Sequence, residues 1–442
     1  MITGPTWKQL VRAFVLLLGG FISALWGFSL EHGSHGGVMG FPGIYYGTRC
    51  LMEHCDPYNP SALQTFYEHK DASSGADSEA RRQSVTLYVN LPTTFLFVAP
   101  FAILPLAIAQ TLWTLITVGC FCLATFLMWQ LGSSYAPNLS VLLAFVMLSN
   151  CEIIFSGGNT AGVVVGLCVI AVWCFLQQRL VAIGVLCLAA SLAIKPHDAG
   201  LIWLYFLIAS RPTRRNAIRS GALAIALAIV AGLWVSVVAP HWMPELRENL
   251  AAISAPGGIN EPGPASIGVS SPDMIIDLQT VISCFVAVPQ IYNLLSYLIC
   301  VAVFVPWLLA VVRLRPDGPH AFCALVSASA LSMLVTYHRS YDSKLLLLAI
   351  PACAYLWSNF KHVRWWAFGL TMGGILITGD IPMAAWTHLT SKMLIFRQSV
   401  SQKILFAFVA RPVPLILLAL AVFYISATIR LSPRPDSESA KP

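Results

Sequence analysis

Lys195 stands immediately before Pro196, inside a long apolar run. An ionisable group at membrane depth is costly and is a functional candidate by default. Proline breaks the helix ladder and leaves carbonyls without partners. The stretch Lys195-Pro196-His197-Asp198 therefore reads as the lining of a cavity that holds an anion, or as a packing pair of Lys195 with Asp198 or Glu152. A second polar block is Tyr337-His338-Arg339-Ser340-Tyr341-Asp342. His338 and Asp342 are four residues apart and would share one face of a helix. With Arg339 they suit phosphate binding or proton transfer. The alternative is an interfacial polar cap with Tyr337 and Tyr341 as belt aromatics.

The third group lies between the first two apolar runs. Tyr45 and Tyr46 are ligand contacts or interfacial anchors, and Arg49 is a candidate phosphate ligand on the same short helix. Asp56-Pro57-Tyr58 is a carboxylate with an aromatic neighbour, or a structural turn, since Asp before Pro favours one. Asn90, before Leu91-Pro92, closes the segment. Asn159, after two glycines, ends a helix or lines a cavity at a polar break. No phosphate-cradling glycine loop, metal-spaced Cys/His cluster or Ser-His-Asp pattern is present in the sequence.

These residues need a scaffold, and composition says which kind. The chain has 442 residues, 57% of them hydrophobic and 10% charged, where a soluble domain carries about 25% charged residues. Lipid must be its solvent, so only helices or a closed barrel can span. Continuous apolar runs, not alternating ones, select helices. The net charge of +7 comes from basic residues near helix ends, as topology control requires, and is no nucleic-acid signature. Most of the twelve cysteines sit in apolar runs, where a thiol behaves as a small hydrophobe. Cys50 and Cys55 lie in a polar loop, where a disulfide is one option.

Lys8 just before, and Arg12 at the start of, the first run, Leu10 to Leu30, are expected to keep the N-terminus cytoplasmic. The pattern predicts an all-α polytopic membrane protein of about twelve transmembrane helices, a single integral-membrane domain over residues 1–442 with both termini inside. Its two large extracytoplasmic loops are residues 31–92 and 241–278. Residues 44–54 are expected to form a short helix lying on the bilayer with its aromatics at the interface. One span is expected over Leu180 to Ala209, interrupted at Lys195, and another over Leu139 to Phe155 with Glu152 inside it.

Several of these blocks, in this order, resemble glycosyltransferase family 87, polytopic enzymes of the GT-C type that include bacterial α-mannosyltransferases. They are Tyr45-Tyr46 with Arg49, Asp56-Pro57-Tyr58, Asn90-Leu91-Pro92 before a Phe-rich span, Gly158-Asn159, Ala193-Ile194-Lys195-Pro196, and His338 through Asp342. The resemblance covers residues 10–360. It implies a hexosyltransferase of the bacterial inner membrane that uses a polyprenyl-phosphate sugar, with mannose the implied sugar. The acceptor would be a lipid or glycan on the outer face, with no cofactor, metal or nucleic acid. Residues implied for the substrate are Tyr45, Tyr46, Arg49, Tyr58, Asn90, Asn159, Lys195, Arg339 and Tyr341. One departure matters. The family tends to carry an Asp just before the Tyr-Tyr segment as the base for the acceptor hydroxyl, and here that stretch is Met39-Gly40-Phe41-Pro42. Another group then serves (Glu31, Glu53, Asp56, or His338 with Asp342), or the chain is a non-catalytic or transporting member that binds or flips a lipid-linked sugar.

Overall fold

A computed structural model describes residues 7–33, 40–71, 85–209, 211–263, 274–390 and 399–431. Among them regular structure is helical, apart from one isolated antiparallel bridge between Ile275 and Arg339. Six helices are long and apolar enough to cross a bilayer: Leu106–Ser133, Thr160–Gln177, Thr213–Val238, Pro289–Leu314, Gly318–Val335 and Pro412–Leu431. A seventh span results if Arg364–Ile377 and Asp380–Leu389, bent by 73°, are taken together. Five shorter apolar helices accompany them, among them Leu10–Trp26, Pro137–Leu148 and Val181–Ile194. Their surfaces divide as lipid requires. Thr213–Val238 leaves Ile225, Ile229, Leu233 and Val237 outside, whereas Thr160–Gln177 and Gly318–Val335 are largely enclosed.

The expected single span over 180–209 is instead a reversal. Val181–Ile194 ends at Lys195, and Pro196–Ala209 starts anew. Ser191 donates to the Val164 carbonyl, and Gly184 abuts Cys174, so the first arm runs antiparallel to Thr160–Gln177. Asp198 lies beside His338, while Tyr205 donates to the Pro316 carbonyl at 2.6 Å, so the second arm runs antiparallel to Gly318–Val335. Asn159 and Tyr341 meet at 3.3 Å, which places the start of Thr160–Gln177 and the end of Gly318–Val335 on one level. The two arms must therefore run in opposite directions, with Lys195 at the apex. Proline supplies the reason: it cannot donate into the preceding turn, and it sterically bars Lys195 from helix. Lys195 indeed adopts φ −138° and ψ 82°. Each arm has 14 residues, about 21 Å of helix, short against a hydrocarbon core of about 30 Å.

The expected span over 139–155 is also broken. Pro137–Leu148 gives way at Ser149–Cys151, and a six-residue helix, Glu152–Gly157, follows.

The segments around residues 41–113 and 234–246 join into one aromatic body. Gly40–Met52 does not lie on the bilayer as expected. Phe41, Tyr45 and Tyr46 are buried against protein, packed with Tyr58, Tyr67, Tyr88, Phe95 and Trp113. Edge-to-face, tilted and stacked rings at 4.8 to 5.4 Å carry this contact. Cys50 and Cys55 are disulfide-bonded at the end of that helix. The second loop docks through Asn249 of the Trp242–Ser254 helix, whose amide donates to the carbonyls of Tyr58 and Tyr88.

Beside this joint, burial and the nearby Asp56 raise the Glu245 carboxyl above the usual carboxylate range, with Asn59 donating to it at 3.5 Å. A raised carboxyl binds its proton more tightly in the folded state. It therefore favours folding below its ordinary pKa, and that contribution is lost as pH rises through the raised value. Glu245→Gln is expected to lift the thermal midpoint by about 1–2 °C at neutral pH and to leave it unchanged in acid, as read by tryptophan fluorescence during heating. An equal lift at both pH values would show that charge is not the cause.

Candidate functional site

The site is assembled from three helix breaks. The first is Gly158-Asn159. Gly158 sits at φ +58°, a left-handed position that suits glycine. A Cβ there would approach that of Phe41 to 2.8 Å. Glycine therefore lets the Gly40–Met52 helix close on this turn, and the Trp113 indole seals it with a 2.8 Å bond to the Gly158 carbonyl. Asn159 then caps Thr160–Gln177, its Oδ1 accepting from the Ala161 amide at 2.9 Å. Its Nδ2 remains to reach the Tyr341 hydroxyl at 3.3 Å.

The second break is the Lys195 apex, tied to the outer segments by the Thr93 hydroxyl, which donates to the Ala193 carbonyl. The third is residues 336–342. The backbone between Thr336 and Tyr341 is not helical, so His338 and Asp342 do not share a helix face as expected. His338 and Ser340 bond with the segment 274–276 instead: the Ile276 amide donates to the His338 carbonyl, and the Ser340 amide to the Met274 carbonyl. A 3-10 helix begins at Asp342.

The breaks converge on one charged cluster. Lys195 Nζ donates to Asp342 Oδ1 at 2.6 Å and stands 3.5 Å from Asp198 Oδ2. It also lies 5.3 Å from the centre of the Tyr341 ring, a cation–π contact. Asp342 Oδ2 accepts from the Arg339 amide at 3.0 Å. His338 Nε2 is 3.0 Å from Asp198 Oδ1, and its Nδ1 is 2.8 Å from the Thr336 carbonyl. Asp198, His338 and Asp342 are fully buried, and Lys195 keeps 13% of its side chain exposed. Charges this deep persist only when paired. Lys195 with two carboxylates is such an arrangement, and it leaves an ammonium held rigidly in place. Next to it opens a cavity of about 500 Å³. Pro196, His197, Tyr297, Phe304, Leu331 and Thr336 are among its lining residues, which are mostly apolar.

Of the residues singled out in the sequence, Asn159, Lys195, His338, Tyr341 and Asp342 meet here. Arg339 is adjacent, but its guanidinium is turned outward to the Ile259 carbonyl, the Asn260 side chain and the Tyr337 hydroxyl, clasping the second loop. The first-loop residues are elsewhere. Arg49 bonds Glu53 at 3.1 Å and the Tyr45 hydroxyl at 2.9 Å, and Tyr45 donates to the Leu104 carbonyl. Tyr46 meets Tyr67 edge to face. Asp56 accepts from the amides of Tyr58 and Asn59, a structural turn. Tyr58 donates to the Asn90 carbonyl at 2.9 Å. Glu31 falls in the last turns of Trp7–Gly33, and its side chain lies outside the described residues.

Two members escaped the sequence reading as site residues. Asp198 entered it only as a packing partner of Lys195, and His197 only as part of the stretch that follows Lys195, with no role of its own. Glu152, the other partner weighed for Lys195, lies instead beside Asp380 and Lys344.

A multi-pass helical fold with a buried lysine–carboxylate–histidine cluster and a large aromatic body defines a membrane protein built around an internal polar site. The family model of glycosyltransferase family 87 matches residues 88–336, more than half of the chain, and the chain belongs to that family. Its class is accordingly that of the membrane glycosyltransferases. The match takes in Asn159, Lys195 and Asp198 and stops two residues before His338. A search of curated proteins returns no match.

Proposed function

We propose that this chain transfers a sugar, mannose by family resemblance, from a polyprenyl-phosphate donor to a lipid or glycan acceptor at the outer face of a bacterial inner membrane. The observation that carries this reading is an apolar cavity of about 500 Å³ lined by Pro196 and His197, the two residues that follow the Lys195 apex. An isoprenoid chain would lie in the cavity between Tyr297 and Phe304, and its phosphate would meet Lys195. The leaving group in such a transfer is a lipid phosphate. It needs stabilisation of charge more than a proton, and a preorganised cation in a water-poor site supplies that. Asp342 and Asp198 hold the ammonium in position, and Tyr341, steadied by Asn159, covers one side of it.

The acceptor hydroxyl must lose its proton as the glycosidic bond forms. Asp56, which the first loop uses in a turn, fits that role less well than His338, Asp342 or Asp198, which border the ammonium.

The test is transfer of radiolabelled mannose from polyprenyl-phosphate mannose by the full chain in nanodiscs. Labelled product is the expected result. Saturable donor binding without product would favour the non-catalytic reading, for which Gly40, where the family tends to have an acid, is the specific observation. Neither binding nor transfer would sink both.

A further inference from the structure

The geometry points to a divalent transition-metal site made by His197, Asp198 and His338. This inference stands on the donor atoms alone and holds whether or not the chain transfers sugar. His338 Nδ1 is 2.8 Å from the Thr336 carbonyl. A carbonyl only accepts, so Nδ1 carries the hydrogen. In the neutral ring Nε2 is then a lone pair, and it faces Asp198 Oδ1 at 3.0 Å. Both residues are fully buried, and neither Nε2 nor the Asp198 oxygens has a well-directed hydrogen bond. Two acceptors this close in a buried place need a positive charge between them.

The charge count says the same. Two buried carboxylates, Asp198 and Asp342, share one ammonium, Lys195, which leaves one negative charge over. Burying an unbalanced charge is expensive. A proton on Nε2 would balance it; a divalent metal ion would exceed it by one positive charge, which an anion at an open coordination position would offset.

His197 decides between them. Its Nε2 is 3.9 Å from the same Asp198 oxygen, and its ring centre is 4.9 Å from that of His338. The donor atoms of all three residues lie within 4.8 Å of one another. A proton shared by His338 and Asp198 gives His197 no task here, whereas a metal takes it as third ligand. Bonds of about 2.0–2.1 Å from donors 3.0 Å apart subtend about 90–100°, a usable angle at a first-row metal. His197 is the ligand with freedom to close in, since its side chain is 38% exposed and borders the cavity. That border also leaves an open coordination position facing the cavity. Two imidazoles and one carboxylate suit Zn²⁺, Mn²⁺ or Fe²⁺ rather than Ca²⁺ or Mg²⁺. The Thr336 carbonyl on His338 Nδ1 is the outer hydrogen bond that fixes a ligating tautomer.

The experiment strips the detergent-purified full chain with chelator. It is then titrated with Zn²⁺, and bound metal is counted by mass spectrometry after gel filtration. Co²⁺ provides the optical spectrum. The expected result is one metal per chain, with a nitrogen–oxygen Co²⁺ spectrum free of the thiolate band that the cysteines would give. His197→Ala should weaken binding about tenfold or more, and His338→Ala and Asp198→Asn should abolish it. His197→Ala is the decisive variant, because a half-exposed ring can be removed without unfolding the chain. Equal metal retention by the parent and His197→Ala, or no retention by the parent, would overturn the site and assign the buried charge to a proton on His338.

Discussion

Lys195→Met is expected to lower sugar transfer by about 10²–10³-fold, the size typical when one preorganised group that meets developing charge is removed. The variant also leaves Asp198 and Asp342 without their cation, so loss of activity alone would not separate chemistry from folding. The double variant Lys195→Met/Asp342→Asn restores the charge count of the parent. It is expected to elute and melt like the parent and to remain as inactive as the single variant. In the proposed transfer the drop should fall on kcat, because a lipid phosphate would carry more charge as it leaves than when it binds. Lys195→Arg keeps the charge but cannot reproduce a point contact to Asp342 at 2.6 Å, and should sit between the two. Recovery of transfer in the double variant would reduce Lys195 to a packing residue.

The second large effect lies away from the site. Lys344 Nζ donates to Asp380 Oδ1 at 3.0 Å and to the Thr378 carbonyl at 2.7 Å. Asp380 Oδ2 accepts from the Ile153 amide at 2.8 Å, and the Asp380 amide donates to the Asn150 carbonyl. One buried pair thus ties together the 3-10 helix below the site, the bend at residues 378–380 and the start of the Glu152–Gly157 helix. Removing one member of such a pair costs about 3–5 kcal/mol, because the other is left buried and unpaired. Lys344→Met is expected to lose most of its monodisperse yield in detergent and to lower the melting midpoint by several degrees. Lys344→Met/Asp380→Asn should recover a large part, since a neutral amide can still meet the Ile153 amide. A single variant as stable as the parent would mean that neighbouring groups neutralise Asp380, and the pair would not be the fastener described.

Particular residues show what was legible and why. Lys195 was legible because an ammonium in an apolar run must have a reason to be there, and Pro196 announced a break. Lys344 obeys the same rule, and its place in a leucine-rich segment hid it. Tyr45 and Tyr46 were legible as ordered aromatics, but not as core. An amphipathic stretch says that one face is apolar and is silent on whether lipid or protein covers it, and here Tyr67, Phe41 and Trp113 do. Arg49, Asp56 and Asn90 looked like ligands because their types suit ligands, yet their partners are local.

Apolar composition and run length determined, by themselves, that the chain is helical and uses lipid as solvent, since unpaired backbone groups have no other refuge there. Motif order carried the family. The tertiary structure alone decided that Lys195 caps a reversal, that Asp342 and Asp198 share its charge, and that His197 and His338 face one carboxylate. The physical reason is range. Backbone propensity and hydropathy act over a few residues and survive in the sequence as pattern, whereas a buried charge is balanced by whatever groups the packing brings within about 4 Å of it, and chain distance carries no trace of that.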